Sequence, residues 1–214
     1  MMTAQDRKRQ ERQARRRRIQ DAARPVFVER GFARASIEQI AKQAQLSVGA
    51  IYLYFQSKED LYVSILETSL QDLDASLAEV RQGDAKGRLA AAWTRLSGWV
   101  EAEPEMARAL AMTSQPGLRA QLTEDVTTGI GSAITRLREH LGACVADGIH
   151  AGAFRSVSPA EVADLLWTAF IGSLAADGAT GNFALPAPQR ATLFACVEAG
   201  LRAAEAAYVH RAAA

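Results

Sequence analysis

Apolar side chains recur along this chain at intervals of three and four residues almost from end to end, the period of helices with one buried face. Ile19, Ala23, Val26 and Phe27 mark a first helix from Ile19 to Arg30, stopped by Gly31. Pro25 lies inside it and removes the bond to the carbonyl of Asp21, so a kink is expected there. A second helix starts at Ser36, where Gln39 completes a capping box, and Ile37, Ile40, Ala41 and Ala44 share its inner face. It stops near Gln45-Leu46. Ser47 then caps a short helix from Val48 to about Phe55, with Ile51 and Phe55 inward and Leu46 plugging the corner.

Ser57 caps a longer helix reaching about Gln82, acidic in its first turn and striped by Leu61, Ile65, Leu66, Leu73, Leu77 and Val80. Gly83-Asp84 and Gly87 break it. Helices follow over 86–101 and 104–114, the second opened by Pro104 and ended by Pro116-Gly117. One long helix is expected from Leu118 to Ile149, on Leu122, Val126, Ile130, Ile134, Leu137, Leu141 and Val145. Ser158-Pro159 opens another, to about Ala176. A last one spans 187–209, beyond a loop at Gly178, Gly181 and Asn182. The fold class these elements predict is all-α.

Composition changes this picture little. The chain has 214 residues, 49% hydrophobic and 23% charged, the balance of an ordinary globular protein with length for a sizeable core. No apolar run approaches the roughly 18 residues of a membrane span, and the arginine-rich start has no apolar core of a secretory signal. Cys144 and Cys196 are far apart and read as reduced core thiols of a cytoplasmic protein. His140 and His150 are solitary on their helix and read as surface or hinge residues. The sequence has no phosphate-cradling glycine loop, nucleophile elbow, His-Glu metal helix or paired cysteines. No enzyme, cofactor or metal is therefore expected.

Charge changes the picture more. Residues 1–58 hold 13 Lys+Arg against 5 Asp+Glu, a net of +8, while residues 59–214 hold 12 against 19, a net of −7. A basic head on an acidic body suggests that only the head meets a polyanion. Residues 1–18 carry eight of those cations, from Arg7 to Arg18. So dense a block repels itself and is expected to be a mobile arm, running raggedly into the first helix. Beside a DNA-reading head it would track phosphates or dip into the minor groove.

The two short helices at 36–55 carry the candidate chemistry. Their outward positions are Val48, Gly49, Ala50, Tyr52, Leu53 and Tyr54. Glycine costs about 1 kcal/mol in a helix relative to alanine, which makes sense where a phosphate or base edge must come close. Tyrosine hydroxyls can donate to phosphates, and short apolar side chains can meet thymine methyls. Arg34, Ser36, Ser47 and Lys58 flank the pair. The run Ile40-Ala41, Ala44, Leu46-Ser47, Gly49, Ile51-Tyr52, Tyr54-Phe55, Ser57-Lys58 and Leu61 resembles the DNA-binding domain of the TetR family of bacterial transcriptional regulators. Ala22-Ala23, Phe27, Glu29 and Arg30-Gly31-Phe32 resemble that family's first helix and its exit. Beyond residue 61 only the layout is similar.

The resemblance implies three segments: a basic arm at 1–18, a helix-turn-helix domain at 19–56, and a helical effector-binding and dimerisation domain at 57–214. It implies a repressor that binds a palindromic DNA operator as a homodimer and is released by a small effector, with no membrane partner. The residues give separate grounds for a dimer. The helices at 158–176 and 187–209 are apolar on most of their circumference, so each needs a second partner. Leu166, Leu174, Leu193, Val197, Leu201 and Ala204 are the interface candidates, in a four-helix bundle with a second copy. Trp93, Trp99, Met106, Leu110, Met112, Phe154, Trp167 and Phe170 are the candidates for an effector pocket, one suited to an apolar or amphipathic molecule. The competing reading is an effector-independent or architectural DNA-binding protein, which leaves the body of about 150 residues without a role.

Overall fold

The computed structural model describes residues 3–80, 85–113, 116–175 and 185–202. Every regular element among them is a helix. In chain order these are α1 Ala4–Arg34, α2 Ile37–Ala44, α3 Val48–Tyr52, α4 Lys58–Ala78 and α5 Ala85–Ala102, followed by α6 Pro104–Met112, α7 Pro116–Arg119, α8 Glu124–His150, α9 Pro159–Ala175 and α10 Ala187–Leu201. Packing divides the chain into two compact units, Met1–Asp72 with Glu103–Ala133 and Leu73–Ala102 with Ile134–Ala214. None of the described helices is long and apolar enough to cross a membrane.

α1 is the main departure from the sequence expectation. It begins at Ala4, not near Ile19, with Thr3 and Asp6 forming a capping box at its start. The cations that should repel the helix apart are partly spent on neighbours. Arg16 donates to the Tyr54 carbonyl at 3.1 Å and lies 4.6 Å over the Phe55 ring, and Arg12 lies 5.4 Å over the Tyr54 ring. Backbone angles stay helical through Pro25, and the widowed carbonyl belongs to Asp21, an exposed residue. The break falls instead at Gly31, with φ 71° and ψ 159°, and a last turn then runs on to Arg34.

The core of the first unit joins Ile19, Ala23 and Phe27 of α1 to Ile40, Ile51, Phe55, Leu61 and Leu66, all essentially inaccessible to solvent. Phe27, Tyr62 and half-buried Phe32 cluster at its edge, with ring centres 4.9–6.3 Å apart and Phe27 edge-on to Tyr62. α6 belongs to this unit. The Tyr62 hydroxyl donates to the Glu105 carbonyl at 2.8 Å, and Arg24 pairs with Glu103 at 3.1 Å.

The expected helix from Leu118 is divided. α7 ends at Arg119 and Thr123 precedes α8, because α4 captures the intervening turn. Asp60, fully buried, accepts from the Thr123 amide and hydroxyl at 2.8 Å each, while Ser57 donates to the Gln121 carbonyl at 3.0 Å. These are tertiary bonds, and the local period of three and four carries no sign of them.

In the second unit Trp93 stacks on Phe194 at 5.4 Å and meets Phe170 edge-on at 6.1 Å, and Trp167 lies 5.5 Å from Phe170. Arg190, only 2% exposed, fastens α10 to α5 through the Ser97 carbonyl at 3.2 Å and Glu101 at 3.0 Å. Trp93 Nε1 donates to the Arg190 carbonyl at 3.1 Å. On α8, Arg136 and His140 both reach Asp74 of α4, at 2.7 and 3.0 Å.

Smaller differences have local causes. Gly87, expected in a break, lies within α5. α4 ends at Ala78, and residues 81–84 are outside the described set, as are Gly178, Gly181, Asn182 and Ala204. Cys196 is exposed and Cys144 half-buried, so they are not both core thiols; Cys196 sits on the outer face of α10. α10 is apolar on most of its circumference, which hides its true inner side from a sequence reading.

Candidate DNA interface

The local rules that predict α2 and α3 are visible in the structure. The Gln39 amide donates to Ser36 Oγ at 3.4 Å, and the Ser36 amide donates back to Gln39 Oε1 at 3.1 Å. α2 ends on Gln45 in the left-handed region, φ 56°, and the Leu46 amide closes onto the Ala41 carbonyl at 2.9 Å. The Ala50 amide donates to Ser47 Oγ at 3.2 Å and starts α3. α3 is shorter than expected, ending at Tyr52, although the Phe55 amide still reaches the Ile51 carbonyl at 3.1 Å.

Seen from outside, the pair is a small raft. Ile51, Phe55, Ile40 and Ala41 anchor it beneath. Above, the adjacent Tyr52 and Leu53 are 51% and 71% exposed. Ser47 and Gly49 are exposed too, with Val48, Ala50 and Tyr54 half-buried between them. A Cβ added at Gly49 would meet nothing within 4 Å. Packing inside the protomer therefore does not demand a glycine there. Its use points to something that approaches from outside.

The flanking candidates divide into free and engaged groups. Arg34 is exposed and spends only its Nε, on the Arg30 carbonyl at 3.1 Å. Ser36 and Ser47 use their oxygens as caps; the Ser47 hydroxyl proton stays available, while the Ser36 hydroxyl also bonds the exposed Glu38 carboxylate. Lys58 is turned inward. Its ammonium donates to the Phe32 carbonyl at 2.9 Å and the Ala35 carbonyl at 3.2 Å, 4.3 Å above the Phe32 ring.

Arg12 and Arg16 are contributions the sequence reading missed. Their spacing was the available signal: positions 12, 16, 19, 23 and 27 follow one helical stripe, so the line of the buried face continues upstream through half-buried Arg16 to exposed Arg12. Both land on the segment just after α3.

The other candidates lie elsewhere in the fold. Met106 and Leu110 are buried on α6 in the first unit, with Met112 half-buried. Trp93, Trp99, Phe154, Trp167 and Phe170 are buried in the second unit. Of the interface candidates, Leu166, Leu174 and Leu201 are buried within the protomer itself, and Leu193 and Val197 are half-buried. The solvent-facing side of α9 carries Leu165, 56% exposed, with Thr168 and Gly172; that of α10 carries Ala195, Cys196 and Ala199.

Comparison with known proteins agrees with this geometry. The sequence model of the tetR family of bacterial regulatory proteins matches residues 19–65. The HTH-type transcriptional regulator UidR of Escherichia coli is 43% identical over 72 residues, 34% of this chain and 35% of that protein. The match thus spans about a third of that curated relative. A TetR/AcrR regulator from Thermobifida fusca superposes with a TM-score of 0.69 at 19% identity, covering 89% of this chain and 100% of its own. FadR of Bacillus subtilis in complex with stearoyl-CoA does so with a TM-score of 0.62 at 20% identity, covering 86% and 98%. At such identities the structures speak for the fold alone, and the head carries the kinship. Residues 19–65 match the tetR family of bacterial regulatory proteins, and α2 and α3, which lie within that match, form a helix-turn-helix.

Proposed function

We propose that the chain is a repressor that binds a palindromic DNA operator as a homodimer and lets go when a small apolar or amphipathic effector occupies the helical body. The observation that carries the reading is the raft itself: an outer face of Gly49, Tyr52 and Leu53, held open to solvent on a fully buried underside. In this reading Val48, Ala50 and Leu53 face base edges. Tyr52, Tyr54, Arg34 and the Ser47 hydroxyl take phosphates. Lys58 acts one step back, by fixing the end of α1 against the start of α4.

The dimer in this reading uses the outer faces of α9 and α10. An exposed leucine beside glycine and alanines lets two helix pairs approach closely, which favours the bundle inferred from the sequence. The effector is placed among Trp93, Trp99, Phe154, Trp167 and Phe170, an aromatic group suited to an apolar chain. That FadR, of the same fold, is bound to stearoyl-CoA supports an amphipathic molecule of this class.

Selection of duplexes from a random pool by the purified protein, followed by footprinting, tests the reading. It predicts a discrete two-fold sequence protected at two half-sites about one helical turn apart. Uniform coating without a selected sequence would replace it with an architectural role.

A further inference from the structure

Upstream of the helix-turn-helix, α1 carries a second basic surface. A groove of about 570 Å³ opens beside Tyr54, lined among others by Lys8, Glu11, Arg12, Arg15 and Arg18. Four cations against one carboxylate make it an anion-binding face. It is also rigid, because α1 is continuous from Ala4 to Gly31 and is pinned by Arg12 and Arg16 to Tyr54 and Phe55. The groove therefore keeps a fixed place beside the segment that follows α3.

We propose that this face of α1 is a second DNA contact, neutral to sequence, that grips the sugar-phosphate backbone beside the stretch α3 reads. The proposal rests on the DNA-binding reading above. From Lys8 to Arg18 the helix rises about 15 Å at 1.5 Å per residue. Phosphates of one DNA strand follow each other every 3.4 Å or so along the axis, so about four lie within that reach. The body of the helix does not fit the minor groove. A helix with its side chains is about 10 Å across and that groove about 6 Å wide. An ordered α1 thus acts as a clamp on phosphates, where a mobile arm would have been free to thread a groove.

The test uses the full chain on its selected duplex, with binding measured by fluorescence anisotropy from 50 to 300 mM salt. Arg15→Gln with Arg18→Gln removes two exposed cations at little cost to helix formation. Arg17→Gln, exposed but outside the groove lining, is the control. The slope of log K against log salt should become shallower by about 0.9 for each phosphate that is no longer neutralised, so by about 2 per head. The preferred sequence should stay the same, and Arg17→Gln should keep the wild-type slope. Trimming base pairs from the operator flanks should weaken the wild type more than the double variant. An unchanged slope in the double variant, with wild-type selectivity intact, would overturn the clamp and leave the helix-turn-helix standing. A wild type that selects no duplex at all would sink the DNA-binding reading instead.

Discussion

Lys58 tells a structural role from a phosphate contact. Its ammonium takes the Phe32 and Ala35 carbonyls at 2.9 and 3.2 Å and rides 4.3 Å over the Phe32 ring. These carbonyls lie at the end of α1, where helices run out of partners and a cation complements the dipole. A hydrogen bond to a charged group contributes about 1.5–3 kcal/mol in a well-buried site, and an exposed cation–π contact about 0.5–1. Lys58 is half-buried, and ordering a lysine costs up to about 2 kcal/mol, so a net of about 2 kcal/mol is the reasonable figure. For a chain of this size each kcal/mol moves Tm by about 2–4 °C. Lys58→Met, which keeps the stem and removes the charge, should therefore lower Tm by about 4–8 °C and weaken operator binding, while the salt slope stays as in the wild type. A calorimetric Tm and an anisotropy salt series decide it. A slope shallower by about 0.9 per head with Tm unchanged would mean that Lys58 leaves its carbonyls for a phosphate, and the argument from the inward bonds would be wrong.

Other expectations follow from the same structure. Asp60→Ala strips the acceptor from three donors, the Thr123 amide and hydroxyl and the Gln56 amide, and should cost about 3–5 kcal/mol; Asp60→Asn, which keeps an oxygen toward Thr123, should cost about half that in urea unfolding. Burial and the neighbouring Glu105 carboxylate push the Tyr62 phenol well above its usual 10. The neutral form is the one the fold favours, so this stability is complete below pH 10 and declines above it; in Tyr62→Phe the decline should flatten, and an equal decline in both proteins would remove Tyr62 as its source. Leu165→Arg should yield a folded monomer by light scattering, whereas Leu201→Arg, buried in the protomer at 4% exposure, should abolish folding. A Leu165→Arg variant that remains a dimer would move the interface off the outer face of α9.

What the sequence made legible is what short-range physics decides. The capping box at Ser36 and Gln39, the cap at Ser47 and the buried pair Ile51 and Phe55 each involve residues within four positions, and each is where the pattern put it. What it hid depends on partners far along the chain. Arg16 is fixed by Tyr54, 38 positions away, so a block of like charge that should not fold alone does fold against the head. Asp60 reads as an ordinary acidic residue of a first helical turn, yet it takes the start of α8. Nothing in the local pattern marks Arg190, yet it is buried and bonded to the Ser97 carbonyl and the Glu101 carboxylate. On α9, apolar almost all round, period alone cannot separate Leu165 from Leu166; only packing shows that the second is inside.

The small size of the reading surface bears on why two heads and a clamp belong together. α3 has five residues, and few of them can meet a base edge. A good bidentate base contact discriminates by about 1–3 kcal/mol, but Val48, Ala50 and Leu53 offer only apolar contacts, which are weaker. Operators are typically bound at 10⁻⁸ to 10⁻¹¹ M, or about 11–15 kcal/mol, against 10⁻⁴ to 10⁻⁶ M for DNA at large. One head of this kind falls well short of that gap. Doubling it by a two-fold axis adds specificity, because each half-site must be right, while phosphate contacts from α1 add affinity to every sequence alike. The basic face beside Tyr54 would thus raise the whole scale without sharpening it, and sharpness would rest on the dimer. Loss of the dimer should therefore cost selectivity, and loss of Arg15 and Arg18 should cost affinity with selectivity unchanged.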